Sequence, residues 1–295
     1  MNENWTTSNI PNLTNKVIIV TGANSGIGYE TTKALAEKDA TVIMACRSLE
    51  KANAASDNIH RYVKNAKLDI LLLDLANLAS VRQFAEEFKA KYTSLNLLIN
   101  NAGVMIPPFS KTKDGFELQF ASNHLGHFTL TGLLLANLLA TPKARIVNVS
   151  SSAHRMGSIR FDNLNAEKNY NANQAYAQSK LANLLFSLHL NEKLQSSGSE
   201  LIAVSAHPGW TVTGLQKGFV HTITRIIGQE APMGALPTLR AATDPAAQQN
   251  DYYGPNGLFE LRGYPVKVGC SANAKDSTLA QRLWDVSEEL SGIRY

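Results

Sequence analysis

Short runs of β-branched and aliphatic residues alternate along the chain with longer segments of helical period. Six such runs predict buried strands, at residues 17–20, 41–44, 70–73, 97–99, 145–149 and 201–205. The segments between them are long enough to cross back over a sheet, among them 29–37, 78–91, 116–139 and 175–194. The alternation predicts an α/β fold, a doubly wound parallel sheet with helices on both faces.

Neither a linker rich in Pro, Gly and Ser nor an internal repeat divides the 295 residues, so we expect one domain. Residues 1–15 form a polar N-terminal extension in this interpretation, and residues 16–295 form the domain. The strand and helix pattern breaks between about 210 and 251, where short apolar pieces follow Pro208-Gly209. We expect this region to be a lid over the carboxyl ends of the strands.

The first strand runs directly into a glycine-rich loop that an amphipathic helix follows. The loop reads Thr21-Gly22-Ala23-Asn24-Ser25-Gly26-Ile27-Gly28. Glycines here let the backbone approach a pyrophosphate, whose charge the helix N-terminus stabilises. A P-loop needs a lysine after its last glycine and a nucleophile elbow needs Gly-x-Ser-x-Gly, and the loop has neither. A dinucleotide site is favoured, while a plain tight turn and a methyltransferase remain possible from the loop alone.

The end of the second strand indicates which dinucleotide fits. Proteins that bind NAD place an acidic residue there for the ribose 2′-hydroxyl. Here the strand ends in Ala45-Cys46-Arg47-Ser48, and no acidic residue lies between Asp39 and Glu50. Arg47 and Ser48 suit a 2′-phosphate, because both can donate to it. The pattern therefore favours NADP(H), although an arginine at an exposed strand end also occurs without a special role.

Tyr176 and Lys180 are four residues apart in a segment with helical period, so their side chains share one face. A nearby ammonium group lowers the pKa of a phenol, and such a tyrosine suits proton exchange with an alkoxide. Ser150 and Ser151 close the strand 145–149 at the carboxyl edge, where a hydroxyl can polarise a carbonyl. Tyr-x-x-x-Lys alone is a common coincidence on a surface helix, but the nearby serines at the strand end favour a catalytic site.

Several motifs in order resemble the short-chain dehydrogenase/reductase family over about residues 16–213. They are the loop 21–28, Asn100-Asn101-Ala102-Gly103, Asn123, Ser151 with Tyr176-x-x-x-Lys180, and Pro208-Gly209. Further strings are similar to the retinol-dehydrogenase-like branch, which includes the WW-domain oxidoreductase and protochlorophyllide reductase. Among them are Asn123-His124-Leu125-Gly126-His127-Phe128 and Ser179-Lys180-Leu181-Ala182-Asn183. The resemblance implies a single-domain Rossmann-type fold.

The resemblance also implies roles for the candidate catalytic residues. Tyr176 would be the general acid-base, and Ser151, rather than Ser150, would donate a hydrogen bond to the substrate oxygen. Lys180 would bind the nicotinamide ribose and lower the pKa of Tyr176. Asn123 would anchor a water molecule that relays protons from Lys180 to solvent.

The loop, the strand ends and the resemblance together predict the cofactor contacts. Asp74 would contact the adenine, or equally cap a strand end, and Asn101 would line the adenosine side and support the sheet. Thr213 is preferred to Thr211 for contacts with the carboxamide and phosphates. The full set is Gly22, Asn24, Ser25, Gly26, Ile27, Gly28, Arg47, Ser48, Asp74, Leu75, Asn101, Ala102, Gly103, Tyr176, Lys180, Pro208, Gly209, Thr211 and Thr213.

The expected activity is that of an NADP(H)-dependent carbonyl reductase or alcohol dehydrogenase acting on a hydrophobic aldehyde, ketone or secondary alcohol. Trp210, Phe219 and Val220 suit an apolar lid, and equally a buried core helix. A retinoid substrate is doubtful, because the sequence lacks the N-terminal membrane anchor of some relatives. The alternative is a non-catalytic NADPH sensor or scaffold, which is disfavoured because such proteins usually lose the tyrosine or the lysine.

Composition and charge indicate which classes of binding partner and which compartment to expect. The formal net charge of +4 is spread along the chain, so nucleic acid and membrane surfaces are not expected. The two cysteines, Cys46 and Cys270, fit a reducing compartment, and with no leader-like or spanning segment the protein is interpreted as cytoplasmic. His124 and His127 lack a third ligand of suitable spacing, so no metal is expected.

The stretch between Ser151 and Tyr176 is longer than usual for the family, with an inserted polar segment at residues 163–173. The insertion flanks the helix that many relatives use for a dimer contact. A monomer or homodimer is therefore expected rather than a tetramer. His154, Arg155 and Met156 would begin the loop beside the substrate.

Overall fold

The computed structural model describes residues 4–211 and 228–295, in which a sheet of eight strands forms the central layer. Its strands lie in the order β3-β2-β1-β4-β5-β6-β7-β8, with β1 to β7 parallel and β8 antiparallel to β7. The strands are β1 Val17–Thr21, β2 Thr41–Cys46, β3 Lys67–Leu72, β4 Leu97–Asn100, β5 Arg145–Val149, β6 Ile202–Ala206, β7 Tyr252–Pro255 and β8 Pro265–Lys267. The chain direction across the sheet reverses between β1 and β4, where a crevice opens at the carboxyl ends.

Helices cover both faces of the sheet. They are α1 Gly26–Ala36, α2 Leu49–Tyr62, α3 Leu78–Lys91, α4 Leu118–Phe120, α5 Gly126–Leu139, α6 Ala172–Ser196, α7 Ala231–Thr243 and α8 Ser277–Ser291. Neighbouring residues of one strand point to opposite faces, so Ile18 packs against α1, α2 and α7 and Ile19 packs against α3, α5 and α6. Burial on both faces explains why the central strands read as continuous aliphatic runs.

Side-chain caps fix where several helices begin. Asn77 accepts hydrogen bonds from the backbone N–H groups of Ala79 and Ser80, at 3.1 and 3.4 Å, at the start of α3. Asn171 does the same at the start of α6, with two contacts of 3.0 Å. These caps satisfy backbone donors that would otherwise lack partners at a helix start.

The doubly wound α/β fold with helices on both faces is confirmed, and all six predicted strands are present. The two strands at the far edge of the sheet, β7 and the antiparallel β8, were not predicted from the sequence. Both strands are very short and contain proline, and β7 also contains Gly254, so neither carries a recognisable strand pattern. The helical segment predicted at 116–139 is present over residues 118–139, where a π-helical turn at Ala121–Leu125 lies between α4 and α5.

The two regions expected to flank the core differ in how they pack. Trp5, Ile10 and Leu13 of the N-terminal segment are buried in the cluster beneath α1 and α2. Helix α7, inside the predicted lid, packs against α1 and the sheet and is a core helix. Residues 212–227, which include Thr213, Phe219 and Val220, lie outside the described residues.

The C-terminal helix α8 packs along α6. Trp284 sits edge-on to His189 of α6, with ring centroids 4.9 Å apart, and the Ser277 hydroxyl donates to Glu192 at 2.6 Å. The face of α6 that points away from the sheet is therefore covered by the chain itself over this length.

Candidate active site

A cavity of about 500 Å³ runs along the carboxyl ends of the central strands, at the point where the strand order reverses. One end lies beside β2 and the start of α2, and the other lies beside β5 and α6. Its walls include nearly all the residues expected from the sequence: Gly22, Asn24, Ser25, Gly26, Ile27, Gly28, Arg47, Ser48, Asp74, Leu75, Asn101, Ala102, Gly103, Tyr176, Lys180 and Pro208. The volume is typical of a ligand site.

The glycine loop leaves room for a ligand at the start of α1. Gly22 and Gly26 have φ of 68° and 52°, a left-handed conformation that side chains disfavour. A Cβ atom on Gly28 would collide with the carbonyl oxygen of Gly22. Ser25 makes no side-chain cap at the start of α1, so the first N–H groups of the helix stay available to an anion.

Three polar residues gather where β2 meets α2. Arg47 is exposed, and among the described residues it has no hydrogen-bond or ionic partner. The Ser48 hydroxyl accepts from the N–H of Lys51 at 3.3 Å and caps α2, which leaves its own proton free to donate. Lys51 lines the same end of the cavity, so two cations and a helix N-terminus face it. The neighbouring Cys46 is buried, and burial raises the pKa of its thiol to about 11.

A hydrogen-bonded junction holds the ends of β1 and β4 together. The Thr21 hydroxyl accepts from the N–H groups of Asn101 and Ala102, both at 2.9 Å. The Asn101 side chain donates to the Thr21 carbonyl at 2.9 Å, which gives it the predicted contact with the sheet. Asp74 lines the cavity and also accepts from the N–H of Ala76 at 3.0 Å, which is a capping contact just after the end of β3.

Lys180 lies inside the protein at the other end of the cavity. Its ammonium group donates to the Val149 carbonyl at 3.1 Å, and Asn183 donates to the same oxygen at 3.0 Å. Burial lowers the pKa of Lys180 to about 8. The ammonium nitrogen lies 5.8 Å from the ring centre of Tyr176, as the four-residue spacing on α6 requires.

The two serines after β5 behave differently. Ser150 is buried, and its hydroxyl donates to the Lys180 carbonyl at 2.7 Å. Ser151 is half-buried, caps the following 3-10 helix Ser152–Met156 and lies against Tyr176. Burial raises the pKa of Tyr176, and the hydrogen-bonding interaction with Ser151 opposes that rise. The hydroxyl near the phenol therefore belongs to Ser151.

Asn123 occupies the middle of the π-helical turn. Its side chain accepts from the N–H of Val104 at 2.8 Å and donates to the Val104 carbonyl at 3.0 Å and to Ser179 at 2.9 Å. A Cβ atom on Gly103 would lie 2.9 Å from the Asn123 amide oxygen and 3.6 Å from the Lys180 ammonium. Asn123 is thus close to Lys180 but does not itself line the cavity.

The two histidines of the same helical segment are buried and make structural contacts. His127 Nδ1 lies 3.1 Å from the Asn123 carbonyl and Nε2 lies 2.9 Å from the Thr21 hydroxyl. Burial lowers the pKa of His127 to about 4 and that of His124 to about 3. Within residues 4–211 and 228–295 no group of three or more His, Cys, Asp or Glu side chains is arranged to hold a metal.

The segment after β6 approaches the cavity through Pro208. Gly209 has φ of 65°, and its N–H donates to His207 at 3.3 Å. The Thr211 hydroxyl donates to the Pro208 carbonyl at 2.6 Å, and neither Gly209 nor Thr211 lines the cavity. Thr213, the preferred contact, lies outside the described residues.

Sequence reasoning missed several residues of the site. Lys51 lies in the first turn of α2, three residues after its N-cap Ser48, and a basic residue so close to Arg47 was a usable signal. The cavity is also lined by Val104, Ser122 and Val149. No local sequence pattern predicts that these residues line it. Asn183 shares a carbonyl with Lys180 across α6 and β5, a long-range contact that only the fold reveals.

The residues fit a dinucleotide. The glycine loop leaves a cradle that Cβ atoms would fill, the free N–H groups of α1 face it, and cations stand at one end. At the other end a buried ammonium, a phenol and a hydroxyl converge.

The comparisons with known proteins agree with this site. The model of the short chain dehydrogenase family matches residues 16–223. The chain is 42% identical to human retinol dehydrogenase 11 over 290 residues, 95% of this chain and 87% of that protein. It is 40% identical to the chloroplastic short-chain dehydrogenase TIC 32 B of Brassica napus, over 92% of this chain and 87% of that protein.

A crystal structure of an uncharacterised protein from Mycobacterium paratuberculosis has the same fold. It is 38% identical and superimposes with a TM-score of 0.85 over 99% of both chains. In the part of the chain that the structure describes, no helix has the length and apolar character needed to cross a bilayer.

The lowered pKa of Lys180 predicts a pH-dependent stability. Between pH about 8 and 10.5 the unfolded chain keeps this proton and the folded chain releases it, so stability rises with pH. The free energy of unfolding of the wild type should therefore increase relative to Lys180→Met by about 1.4 kcal/mol per pH unit. Urea denaturation between pH 8 and 9, where unperturbed tyrosines remain largely protonated, measures this slope.

The exposed Lys64 provides the control, because Lys64→Met should run parallel to the wild type. If the free energy of unfolding of Lys180→Met also changed with pH as that of the wild type does, the pKa of Lys180 would not be lowered by folding.

Proposed function

This chain belongs to the short-chain dehydrogenase family, in its retinol-dehydrogenase-like branch, and on that premise we propose an NADP(H)-dependent oxidoreductase. It moves a hydride between the nicotinamide and the carbonyl or alcohol carbon of a hydrophobic aldehyde, ketone or secondary alcohol. The observation that carries the proposal is that Tyr176 and Lys180 line one end of the cavity and that Ser151 lies against Tyr176.

When bound in the cavity, the nicotinamide gives or accepts the hydride. Ser151 donates a hydrogen bond to the substrate oxygen and so stabilises the charge that develops there. Tyr176 gives a proton to that oxygen in reduction and takes it back in oxidation. Its pKa is raised by burial in the cofactor-free protein, so it needs a nearby positive charge to act as a base at neutral pH.

Lys180 provides that charge. Its ammonium group is anchored to the Val149 carbonyl and keeps two further protons for hydrogen bonds, which we assign to the ribose of the cofactor and to a relay of water. Asn123 has all its amide contacts on Val104 and Ser179, which fix its position beside Lys180. We assign it the anchoring of that relay.

The preference for NADP(H) is supported by the charged end of the cavity. Arg47 is unpaired within the described residues, Lys51 stands one helical turn further on, and Ser48 has a free hydroxyl proton. A 2′-phosphate would receive charge-assisted hydrogen bonds from all three. A 2′-hydroxyl lacks the charge that these groups would bind.

A hydrophobic substrate is supported by the relatives, since the name of retinol dehydrogenase 11 specifies an apolar alcohol. Placement in the cytoplasm rests on cysteine usage, because both cysteines are free thiols.

Tyr176→Phe should reduce kcat by about a hundredfold to ten-thousandfold, since the general acid-base is lost. Binding of NADPH should be nearly unchanged because the ring remains. The measurement is absorbance at the NADPH band with a panel of aromatic and aliphatic aldehydes and ketones, beside Tyr62→Phe as an exposed control. Undiminished turnover in Tyr176→Phe would refute the assignment.

Arg47→Ala should raise KM for NADPH by about tenfold to a hundredfold, the value of a charged hydrogen bond, and leave KM for NADH unchanged. Arg61→Ala, in the last turn of α2, is the matched control and should affect neither. Equal losses with both cofactors would show that Arg47 supports the fold and does not read the 2′-phosphate.

We propose a monomer or homodimer, because α8 covers the outer face of α6 and the insertion at 163–173 lies beside the start of this helix. Light scattering of the purified protein should give the mass of one or two chains. A mass of four chains would contradict this.

A further inference from the structure

A loop at residues 256–263 presents two large apolar side chains to solvent. Leu258 and Phe259 are 77% and 78% exposed. Phe259 and Glu260 both have left-handed backbone conformations, with φ of 53° and 57°, which bulky side chains disfavour. Such a conformation persists only where the surroundings impose it. The structure of this loop therefore needs a specific restraint.

The restraint is the carboxylate of Glu260. One oxygen accepts from His207 Nε2 at 2.9 Å, and the other accepts from Arg155 at 3.1 Å. His207 is fully buried, and its Nδ1 accepts from the N–H of Gly209, so the Nε2 proton is directed at Glu260. Arg155 also donates to the Gly269 carbonyl at 2.6 Å. Glu260 thus joins three separate segments of the chain.

These segments border the catalytic end of the cavity. Arg155 lies in the 3-10 helix that begins directly after Ser151. On the other side, the N–H of Trp210 donates to the Leu261 carbonyl at 2.7 Å, and Trp210 follows the cavity-lining Pro208 by two residues. The loop therefore lies between the segment of Ser151 and the segment of Pro208. Met156, at the end of the same 3-10 helix, is 78% exposed.

His154 strengthens the link to Ser151. Its Nε2 accepts from the N–H of Ser271 at 3.1 Å, so its Nδ1 carries the proton and donates to the Ser151 carbonyl at 2.7 Å. The C-terminal region therefore holds the catalytic segment at two points, through Glu260 and through Ser271. Because Ser271 holds Ser151 through His154, the position of Ser151 does not depend on Glu260 alone.

We propose that Glu260 is a positioning residue that holds Leu258 and Phe259 beside the substrate entrance, where they and Met156 contact the apolar part of the substrate. The inference rests on the proposed function and adds the residues that determine specificity, Glu260 by positioning and Leu258 and Phe259 by contact with a long apolar chain. Large apolar side chains that a strained loop keeps in solvent are consistent with contact with an apolar ligand.

The test compares a long aldehyde, dodecanal, with a short one, butanal. Phe259→Gly should raise KM for dodecanal by about tenfold, the loss expected for one apolar side-chain contact, and leave KM for butanal and both kcat values unchanged. Glycine accepts the left-handed conformation, so Tm should not fall. Loss of affinity without loss of stability separates substrate contact from a structural role.

Glu260→Gln should show the same selective rise for dodecanal with an unchanged Kd for NADPH. Glu289→Gln, on the exposed side of α8, and Tyr62→Ala are the matched controls. Equal KM changes for both aldehydes, or none for either, would overturn the proposal.

Binding of dodecanol and butanol to the NADP+-loaded protein, followed by tryptophan fluorescence, separates this inference from the proposed function. If the wild type reduces neither aldehyde but binds dodecanol about tenfold more tightly than Phe259→Gly does, the proposed function fails and the substrate contact stands. If the wild type is active and both variants bind dodecanol as it does, the loop makes no contact and only the proposed function remains.

Discussion

The burial of one ammonium group is the constraint on which the site depends. A lysine inside a protein is stable only with hydrogen-bond partners, and for Lys180 the described part of the chain provides the Val149 carbonyl. That oxygen is available because β5 ends at Val149, and Asn183 from the next turn of α6 shares it. The position of α6 across the strand end therefore sets the height of both Lys180 and Tyr176 above the sheet. Ser150 also joins the end of β5 to α6, because its hydroxyl donates to the Lys180 carbonyl.

The remainder of the site lies at the carboxyl ends of strands that hydrogen bonds hold together. Thr21 receives two backbone N–H groups from the segment after β4 and contacts His127 from α5, so β1, β4 and α5 meet at one hydroxyl. Asn123 lies in the middle of the π-helical turn before α5. Because the turn alters the helical phase locally, the Asn123 side chain reaches Val104 and Ser179 while α5 continues to pack its leucines under the sheet.

Sequence reasoning succeeded where a short local pattern of residues determines the structure. Buried parallel strands need continuous aliphatic runs, and a dinucleotide loop needs glycine where a Cβ atom would collide, so β1 to β6 and Gly28 were identifiable. It failed where the determinant was long-range. The pairing of β7 depends on β6 more than on its own four residues, and the π-helical turn inside 116–139 leaves the hydrophobic period almost unchanged. The Glu260 contacts join residues more than 50 and 100 positions apart, and no spacing rule connects them.

The two ends of the cavity meet solvent in different ways. Arg47 and Lys51 are exposed, whereas Lys180 is enclosed by the protein. Dissolved ions screen charges at a surface over roughly 8 Å at physiological ionic strength, but they screen a buried group much less. The attraction of Arg47 and Lys51 for an anion therefore weakens as ionic strength rises, whereas the electrostatic surroundings of Lys180 change little. The two ends of one cavity then differ in their sensitivity to dissolved salt.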